Sequence, residues 1–391
     1  MKDISKIVAD LKPSGIREFF NYASETPDVI SLGVGEPDFV TPKPIIIAAQ
    51  ESLNKGKTFY TSNQGLPILR QKISDYLSHR FGVLYDKDEI ILTAGSSQGI
   101  LAALLAIINP GDEIIVTEPT YICYGPDIEM CGGIPIVISL SEIDEYKLRP
   151  STLERYITSK TKAVFLSYPN NPTGATMSKD DLIALSEVIL KHDLYVVSDE
   201  IYAELTYGQS HFSIASIEDM KNRTILISGF SKAFAMTGWR LGYVCAKKEI
   251  LDQILKIQQY IMLSAPTMSQ YGAIAALDVC LPEVERMVEE YNKRRLFLFK
   301  ELERLQIDYF RATGAFYLFI SVKKFGLSSR DFCLQMLNDY KVLVVPGTAF
   351  GDGCEGYIRV SYATSMSNLK KFIEAFGNFI YKIANGKNDG V

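Results

Sequence analysis

Short apolar segments that alternate with helix-like segments constrain the fold of this chain more than any other feature. A helical stripe over 66–81 is followed by the strand-like EIILT and by the apolar helix ILAALLAII. The strand-like segments that come next are EIIVTEP, AVFLSYP, LYVVSD and TILISG. Short buried strands between helices are typical of a mainly parallel sheet with helices on both faces. Ligands of such sheets bind at the carboxyl ends of the strands.

The pattern changes after a long helical stripe over 282–306. Strand-like AFYLFISV, VLVVPG and YIRVSYA surround the helical DFCLQMLNDY, and the amino-terminal segment is extended and proline-rich. A chain of 391 residues is too long for one small core. We therefore expect an α/β protein with a large domain over 48–283. The segments 1–47 and 284–391 are expected to form a smaller α+β domain with an N-terminal arm.

Charge and hydropathy exclude several classes of protein. The net charge of −5 comes without a basic block, which argues against a nucleic-acid partner. The amino terminus lacks the apolar core of a signal peptide, and no apolar stretch reaches the ~18 residues of a membrane span. The three histidines show no metal-ligand spacing. We expect a cytoplasmic protein with no metal site.

One lysine and one arginine lie eight residues apart in the run from Ser231 to Tyr243. Lys232 follows the strand-like TILISG, and glycines flank Arg240, where the backbone can approach a ligand closely. A primary amine can bind an aldehyde covalently, and a guanidinium binds phosphate. The pair suits a covalently held, phosphorylated aldehyde, although other phosphorylated ligands are also compatible with it.

Two turns at predicted strand ends have both a structural and a functional interpretation. The first turn is GSSQG at 95–99. The backbone N–H groups and hydroxyls at the start of a helix favour an anion there. Alternatively, these residues only cap the helix. Asn171 lies in PNNPTG, where turn propensity alone explains the cluster. Alternatively, the prolines hold its amide toward a ligand.

Two charged residues lie in or at the end of apolar strands. Asp199 ends the apolar segment LYVVSD. A buried carboxylate must be paired or functional, because burial of an unpaired carboxylate costs free energy. Alternatively, Asp199 is the N-cap of a helix. Tyr202 lies on the same side if a helical turn starts there. Arg359 in YIRVSYA is either a surface residue or a bidentate clamp for a carboxylate.

Together and in this order, these motifs resemble the class I and II aminotransferases, the aspartate-aminotransferase-like group of pyridoxal-phosphate enzymes of fold type I. The resemblance runs from GVGEPDF at 33–39 to Arg359, and the block around Lys232 is close to diagnostic. It implies pyridoxal 5′-phosphate as cofactor and ping-pong transfer of an amino group from an L-amino acid to a 2-oxo acid, with 2-oxoglutarate as the expected acceptor. The alternative is a carbon–sulfur β-lyase of the same fold, which needs the same residues.

The resemblance assigns Lys232 as the catalytic residue, which forms a Schiff base with the cofactor and acts as general base. Asp199 would keep the pyridine nitrogen protonated, and Tyr121 would stack on the ring. Many relatives carry a serine as a phosphate ligand where this chain has Gly229, and Ser228 or Ser231 is expected to substitute for it. The residues expected to bind the cofactor are Gly95, Ser96, Ser97, Tyr121, Asn171, Asp199, Tyr202, Ser231, Lys232, Arg240 and Tyr60.

The substrate α-carboxylate is expected on Arg359, supported by Gly35 and Asn171. Tyr60 matches a tyrosine that reaches the phosphate of the neighbouring subunit, so a homodimer with shared active sites is expected. The substrate side chain stays open among aspartate, alanine, aromatic and diaminopimelate types. Arg17 is a candidate for a distal carboxylate, or else a surface arginine.

Two other classes are disfavoured. A non-catalytic sensor domain of a transcription regulator needs a DNA-binding helix-turn-helix, for which residues 1–30 leave no room. A nicotinamide dehydrogenase needs a GxGxxG motif after an early strand, and none is present.

Overall fold

Three sheets organise the protein, whose computed structural model describes residues 3–11, 15–16, 19 and 27–386. The strands are β1 (Ile30–Ser31), β2 (Ile90–Thr93), β3 (Glu113–Glu118), β4 (Ile134–Ser139), β5 (Thr161–Ser167), β6 (Tyr195–Asp199), β7 (Thr224–Gly229), β8 (Gly242–Cys245), β9 (Tyr317–Ser321), β10 (Val342–Leu343), β11 (Val345–Pro346) and β12 (Tyr357–Ser361). The large sheet contains seven of them in the order β2-β8-β7-β6-β5-β3-β4.

Neighbouring strands of the large sheet are parallel except where β8 takes part. β8 runs antiparallel to both β2 and β7, whereas the pairs β3–β4, β3–β5, β5–β6 and β6–β7 are parallel. The predicted mainly parallel α/β fold is therefore confirmed. The carboxyl ends of β5, β6 and β7 lie at one edge, so the residues that follow these strands gather there.

Helices cover both faces of the large sheet. Those of the described residues are α1 (Lys6–Asp10), α2 (Lys43–Asn54), α3 (Pro67–Phe81), α4 (Ser96–Ile107), α5 (Tyr124–Met130), α6 (Pro150–Tyr156), α7 (Lys179–Lys191), α8 (Lys248–Ile261), α9 (Thr267–Val279), α10 (Leu281–Arg304), α11 (Ser329–Tyr340) and α12 (Met366–Gly386). Along β2, Ile91 belongs to the core cluster that contains Leu104 and Leu251, while Ile90 and Leu92 belong to a different cluster. This alternation is expected of a strand buried on both sides. Within the described part of the chain, no helix has the length and apolar character to cross a membrane.

Two smaller sheets involve the carboxyl-terminal part of the chain. β12 lies between β11 and β9 in an antiparallel sheet, where Arg359 pairs with Phe319 on one side and Val345 on the other. β1 pairs in parallel with β10 and so joins the amino-terminal segment to this region. The domain boundaries at residues 48 and 284 stay a prediction.

Two local predictions were wrong. The proline-rich segment at 41–44 is not extended throughout, because α2 begins at Lys43 with a proline in its first turn, where a missing N–H costs nothing. The GSSQG segment is not a separate turn. Ser96 already starts α4, so its hydroxyl and that of Ser97 lie in the first helical turn.

Candidate active site

A cavity of about 350 Å³ opens at the carboxyl edge of the large sheet. The predicted residues that line it are Gly35, Ser96, Ser97, Tyr121, Asn171, Asp199, Tyr202, Ser231, Lys232, Arg240 and Arg359. They come from segments as distant in sequence as residues 35 and 359, which the topology brings to one place.

Lys232 lies just beyond β7, with its amine inside the cavity. The Nζ donates a hydrogen bond to the carbonyl oxygen of Gly35 at 2.5 Å and lies 5.9 Å from the centroid of the Tyr202 ring. Burial lowers the pKa of Lys232 to about 8; the Glu36 carboxylate opposes this shift, and the Arg359 guanidinium adds to it. A substantial neutral fraction near pH 8 makes this amine a usable nucleophile and base.

Asp199 ends β6 with its carboxylate buried. Oδ2 accepts a hydrogen bond from the Tyr124 hydroxyl at 2.7 Å, and Oδ1 accepts one from the Ile201 backbone N–H at 3.1 Å. Burial raises the pKa of Asp199 to about 6, and both hydrogen bonds oppose this rise. A turn follows β6 at 201–204, so Asp199 caps no α-helix.

The start of α4 and the Arg240 guanidinium converge. Gly95 precedes α4 with φ +80°, and a Cβ at this position would lie 2.9 Å from Arg240 Cζ. Arg240 Nη1 donates to the Thr237 carbonyl at 3.0 Å, which holds the guanidinium in place. Helix-terminal N–H groups, the Ser96 hydroxyl and a guanidinium together form a site for an anion.

Gly229 has a packing reason in this chain. It pairs with Gly242 of β8, and a Cβ at Gly229 would lie 2.8 Å from the Gly242 Cα and 3.0 Å from the Leu241 carbonyl oxygen. A serine therefore does not fit without a backbone shift. Of the two proposed substitutes, Ser231 lines the cavity, while the Ser228 hydroxyl donates to the Glu200 carbonyl at 3.2 Å.

Arg359 is buried in the middle of β12, so the surface interpretation is wrong. Its Nη1 donates to Asn171 Oδ1 at 2.9 Å, and its Nη2 donates to the Gly33 carbonyl. Among the described residues, Nε has no hydrogen-bond partner. The rings of Tyr317 and Phe350 lie 4.5 Å and 4.7 Å from the guanidinium carbon, and burial lowers the pKa of Arg359. A buried cation with neutral partners suits a carboxylate ligand.

Sequence reasoning missed two tyrosines that line the cavity. Tyr124 contacts Asp199, and Tyr317 shares a hydrogen bond of 2.7 Å with the Tyr202 hydroxyl. The sequence pattern around Tyr317 predicts only a strand, and side-chain alternation does not reveal which groups the inward face of a strand contacts. The other cavity residues not predicted are Ile16, Ile100, Ile122, Ile201 and Thr237.

Two predicted residues do not line the cavity, and a third candidate lies outside the part of the chain that the structure describes. Gly95 packs closely against the Arg240 guanidinium and is not part of the cavity lining. Tyr60 is outside the lining and 80% exposed. Arg17 lies outside the described residues.

Comparison with known proteins identifies the family. The model of aminotransferase class I and II matches residues 27–376. A putative aminotransferase of Bacillus subtilis is 45% identical over 97% of this chain and 98% of its own length. The aspartate aminotransferase of Pyrococcus abyssi is 41% identical over 93% of this chain and 95% of its own length.

A solved structure gives the same result. The aromatic aminotransferase of Pyrococcus horikoshii superposes with a TM-score of 0.89 at 39% identity, over 93% of this chain and 99% of that one. The cavity with its amine, buried carboxylate and buried guanidinium agrees with these similarities. This chain belongs to the class I and II aminotransferases, the pyridoxal-phosphate-dependent transaminases of fold type I.

Proposed function

We propose that this enzyme transfers an amino group from an L-amino acid to a 2-oxo acid, with Lys232 as its reactive amine and Arg359 as its carboxylate clamp. The observation that carries the proposal is the placement of both groups in one cavity. The buried amine of Lys232 has a lowered pKa, and Arg359 lies there with neutral partners and a free Nε among the described residues.

The residues of the cavity fit pyridoxal phosphate. The phosphate would be held by Arg240 together with Ser96, Ser97 and Ser231, and Gly95 leaves room for the guanidinium, because a Cβ there would collide with it. Lys232 would hold the aldehyde carbon covalently. Further ring contacts would come from Asp199 at the pyridine nitrogen, Tyr121 on a ring face, and Asn171 and Tyr202 at the phenolic oxygen.

Bound pyridoxal phosphate supplies an aldehyde that takes up the amino group and a ring that delocalises the electron pair left at the substrate Cα. Once the substrate amino group has displaced Lys232 from the aldehyde carbon, the freed Nζ would take the proton from Cα. The lowered pKa of the amine favours this, because a base must be neutral to accept a proton. Arg359 holds the α-carboxylate and so fixes the direction of the Cα–H bond, an effect that can contribute several kcal/mol. Because one cavity serves amino acid and 2-oxo acid in turn, we expect ping-pong kinetics.

The names of the relatives favour transamination over β-elimination. A direct test incubates the protein with an L-amino acid and 2-oxoglutarate, and separately with cystathionine. We expect a new 2-oxo acid and glutamate in the first reaction. Pyruvate and ammonia from cystathionine, without amino transfer in the first reaction, would overturn the proposal.

The donor is proposed from the set of aspartate, alanine, aromatic and diaminopimelate-type amino acids. Two of the three relatives reported above are named for a substrate, one for aspartate and one for aromatic amino acids. Among the described residues, the basic side chains that line the cavity are Lys232, Arg240 and Arg359. A panel of donors, each measured as kcat/KM with 2-oxoglutarate, distinguishes these classes. The matched pair aspartate and phenylalanine separates a charged from an apolar side chain.

A homodimer is also proposed, in a cytoplasmic location. Phe59, Tyr60 and Tyr260 are 81%, 80% and 92% exposed. Tyr260 lies near the end of α8. The loop with Phe59 and Tyr60 is tied to the residues that follow this helix, since Thr267 Oγ1 donates to the Phe59 carbonyl at 2.8 Å and Asn63 Nδ2 donates to the Leu263 carbonyl at 2.9 Å. Large apolar side chains exposed to this degree support coverage by a second subunit.

The dimer is tested by measuring the mass in solution by light scattering and by mixing two inactive variants. If Tyr60 contributes to the partner's site, Tyr60→Ala and Lys232→Ala subunits regain part of the activity when they form mixed dimers, because one site per dimer is then intact. A monomer with full activity would contradict the proposal.

A further inference from the structure

A chain of hydroxyl groups links two neighbouring strand ends at the cavity. β5 ends at Ser167 and β6 ends at Asp199, and these two residues are direct partners in the parallel register. Tyr124, the first residue of α5, reaches both, because its hydroxyl lies 2.9 Å from Ser167 Oγ and 2.7 Å from Asp199 Oδ2. All three side chains are buried.

The chemistry of the three groups fixes the direction of the hydrogen bonds. An ionised carboxylate only accepts, and a phenol has one proton to donate. Tyr124 therefore donates to Asp199, and its oxygen accepts from the Ser167 hydroxyl. Ser167 thus directs the phenol proton toward the carboxylate.

Packing holds the Tyr124 ring in this position. The ring stacks on Phe165 with centroids 4.1 Å apart and an interplanar angle of 27°. Phe165 lies two residues before Ser167 on β5, so both side chains project from the same face of the sheet. Because stacking and hydrogen bonding come from the same strand, the hydroxyl is held rigidly next to Asp199.

Asp199 needs such a donor because its surroundings disfavour a negative charge. Burial and the adjacent Glu200 carboxylate raise its pKa, whereas the Lys232 ammonium lowers it. Among the described residues, Tyr121 and Cys123 also interact electrostatically with Asp199. A charge-assisted hydrogen bond inside the protein is stronger than a neutral one and favours the ionised form.

We propose that Tyr124 is a positioning residue that keeps Asp199 ionised and correctly oriented for the cofactor ring nitrogen, with Ser167 orienting the phenol. This inference rests on the proposed function. Ser167 at the end of β5 thus supports Asp199 at the end of β6 through the Tyr124 hydroxyl.

The test measures the dissociation constant of pyridoxal phosphate in the wild type, Tyr124→Phe, Asp199→Asn and the double variant, from pH 5 to 8.5. Tyr124→Phe keeps the ring and removes only the hydroxyl. We expect about tenfold weaker binding near neutral pH, as for loss of a hydrogen bond to a charged group. The pH below which affinity falls should move upward, because the Asp199 carboxyl then protonates more easily. In the Asp199→Asn background, Tyr124→Phe should add little, because no charge is left to stabilise.

Tyr85→Phe is the matched control, because it removes another buried tyrosine hydroxyl. This hydroxyl donates to the Thr224 carbonyl at 3.2 Å. The substitution should leave the dissociation constant of pyridoxal phosphate unchanged. Ser167→Ala keeps the phenol and should give a smaller upward move of the same pH profile. If circular dichroism shows that Tyr124→Phe does not fold, the pH profile of Ser167→Ala tests the inference in its place.

Unchanged affinity and pH profile in Tyr124→Phe, or additive effects in the double variant, would overturn the inference. If the wild type itself does not bind pyridoxal phosphate, the proposed function fails instead. The two failures are therefore distinguishable.

Discussion

Two walls of the cavity hold their charged groups in opposite ways. The sheet-edge wall, formed by the end of β6 and the residues after β7, contains Asp199 and Lys232. The small-sheet wall, formed by β9 and β12, contains Tyr317 and Arg359. Asp199 receives two hydrogen bonds from the protein itself. Arg359 has two neutral acceptors and an Nε without a partner among the described residues.

This difference suits the two groups to two kinds of ligand, a cofactor that stays bound and a substrate that comes and goes. A carboxylate that the protein already supports is ready to pair with a group that stays bound. A buried guanidinium without a charged hydrogen-bond partner gains most when a carboxylate arrives, because its desolvation is then compensated. We therefore expect the sheet-edge wall to control the cofactor and the small-sheet wall to control the substrate, and variants should separate the two.

Lys232→Ala should have the largest effect. Loss of the covalent attachment and of the base at Cα should lower kcat by about 10⁴-fold or more. The measurement is transaminase turnover with the best donor, together with the visible absorbance of the lysine-bound cofactor, which should disappear. Lys256→Ala, which changes an exposed lysine of α8, is the control and should behave as wild type. Full activity in Lys232→Ala would reject the assigned role.

Arg359→Lys should affect the substrate and spare the cofactor. The substitution keeps the charge and removes the bidentate geometry, so kcat/KM for both amino acid and 2-oxo acid should fall about a hundredfold, mainly through KM. The dissociation constant of pyridoxal phosphate should change little. Arg294→Lys alters a buried arginine outside the cavity lining, paired with Asp38 at 2.8 Å, and serves as control. Equal losses in cofactor and substrate binding would abolish the distinction between the walls.

The rate of cofactor loading should depend on the Lys232 amine. Its pKa is lowered by burial from 10.5 to about 8, and only the neutral amine attacks the aldehyde. Below pH 8 the rate should therefore fall about tenfold per pH unit, and above it the rate should level off. Stopped-flow absorbance of the cofactor-free enzyme mixed with pyridoxal phosphate measures this. An inflection near the pKa of an ordinary lysine would show that burial does not act on the amine.

Gly229→Ser should give the smallest effect and test whether the sheet-edge wall tolerates the serine of other family members. The Cβ would approach the Gly242 backbone at 2.8 Å, so we expect a loss of about 1–3 kcal/mol in the free energy of unfolding and no gain in cofactor affinity. Gly377→Ser, where the nearest atom is 3.6 Å away, is the control. Tighter cofactor binding with unchanged stability would contradict this account of Gly229.

Local motifs made much of the sheet-edge wall predictable. Asp199, Lys232 and Asn171 each lie at or just after the end of an apolar strand. Parallel strands bring such residues to one edge of the sheet, which can be predicted without knowledge of side-chain contacts. Contacts between distant segments were not predictable in this way. Tyr124 lies 75 residues from Asp199 and 43 from Ser167, and no periodicity connects them.

The same limit applies to the backbone. β8 joins the large sheet antiparallel to β2 and β7, and α2 starts within a proline-rich stretch, because tertiary packing overrides weak local signals in both places. The fit of Gly229 against Gly242 is likewise visible only when the two strands are paired.

The sequence by itself determined the alternating α/β pattern, the order of the chemical motifs and, through their resemblance, the family. These properties are encoded by residue type and spacing along a short stretch of chain. The tertiary structure alone decided which groups are buried and which partners they meet. It placed Arg359 in the cavity rather than on the surface, lowered the pKa of Lys232 and set Tyr124 against Asp199, because burial and long-range contacts exist only in the folded chain.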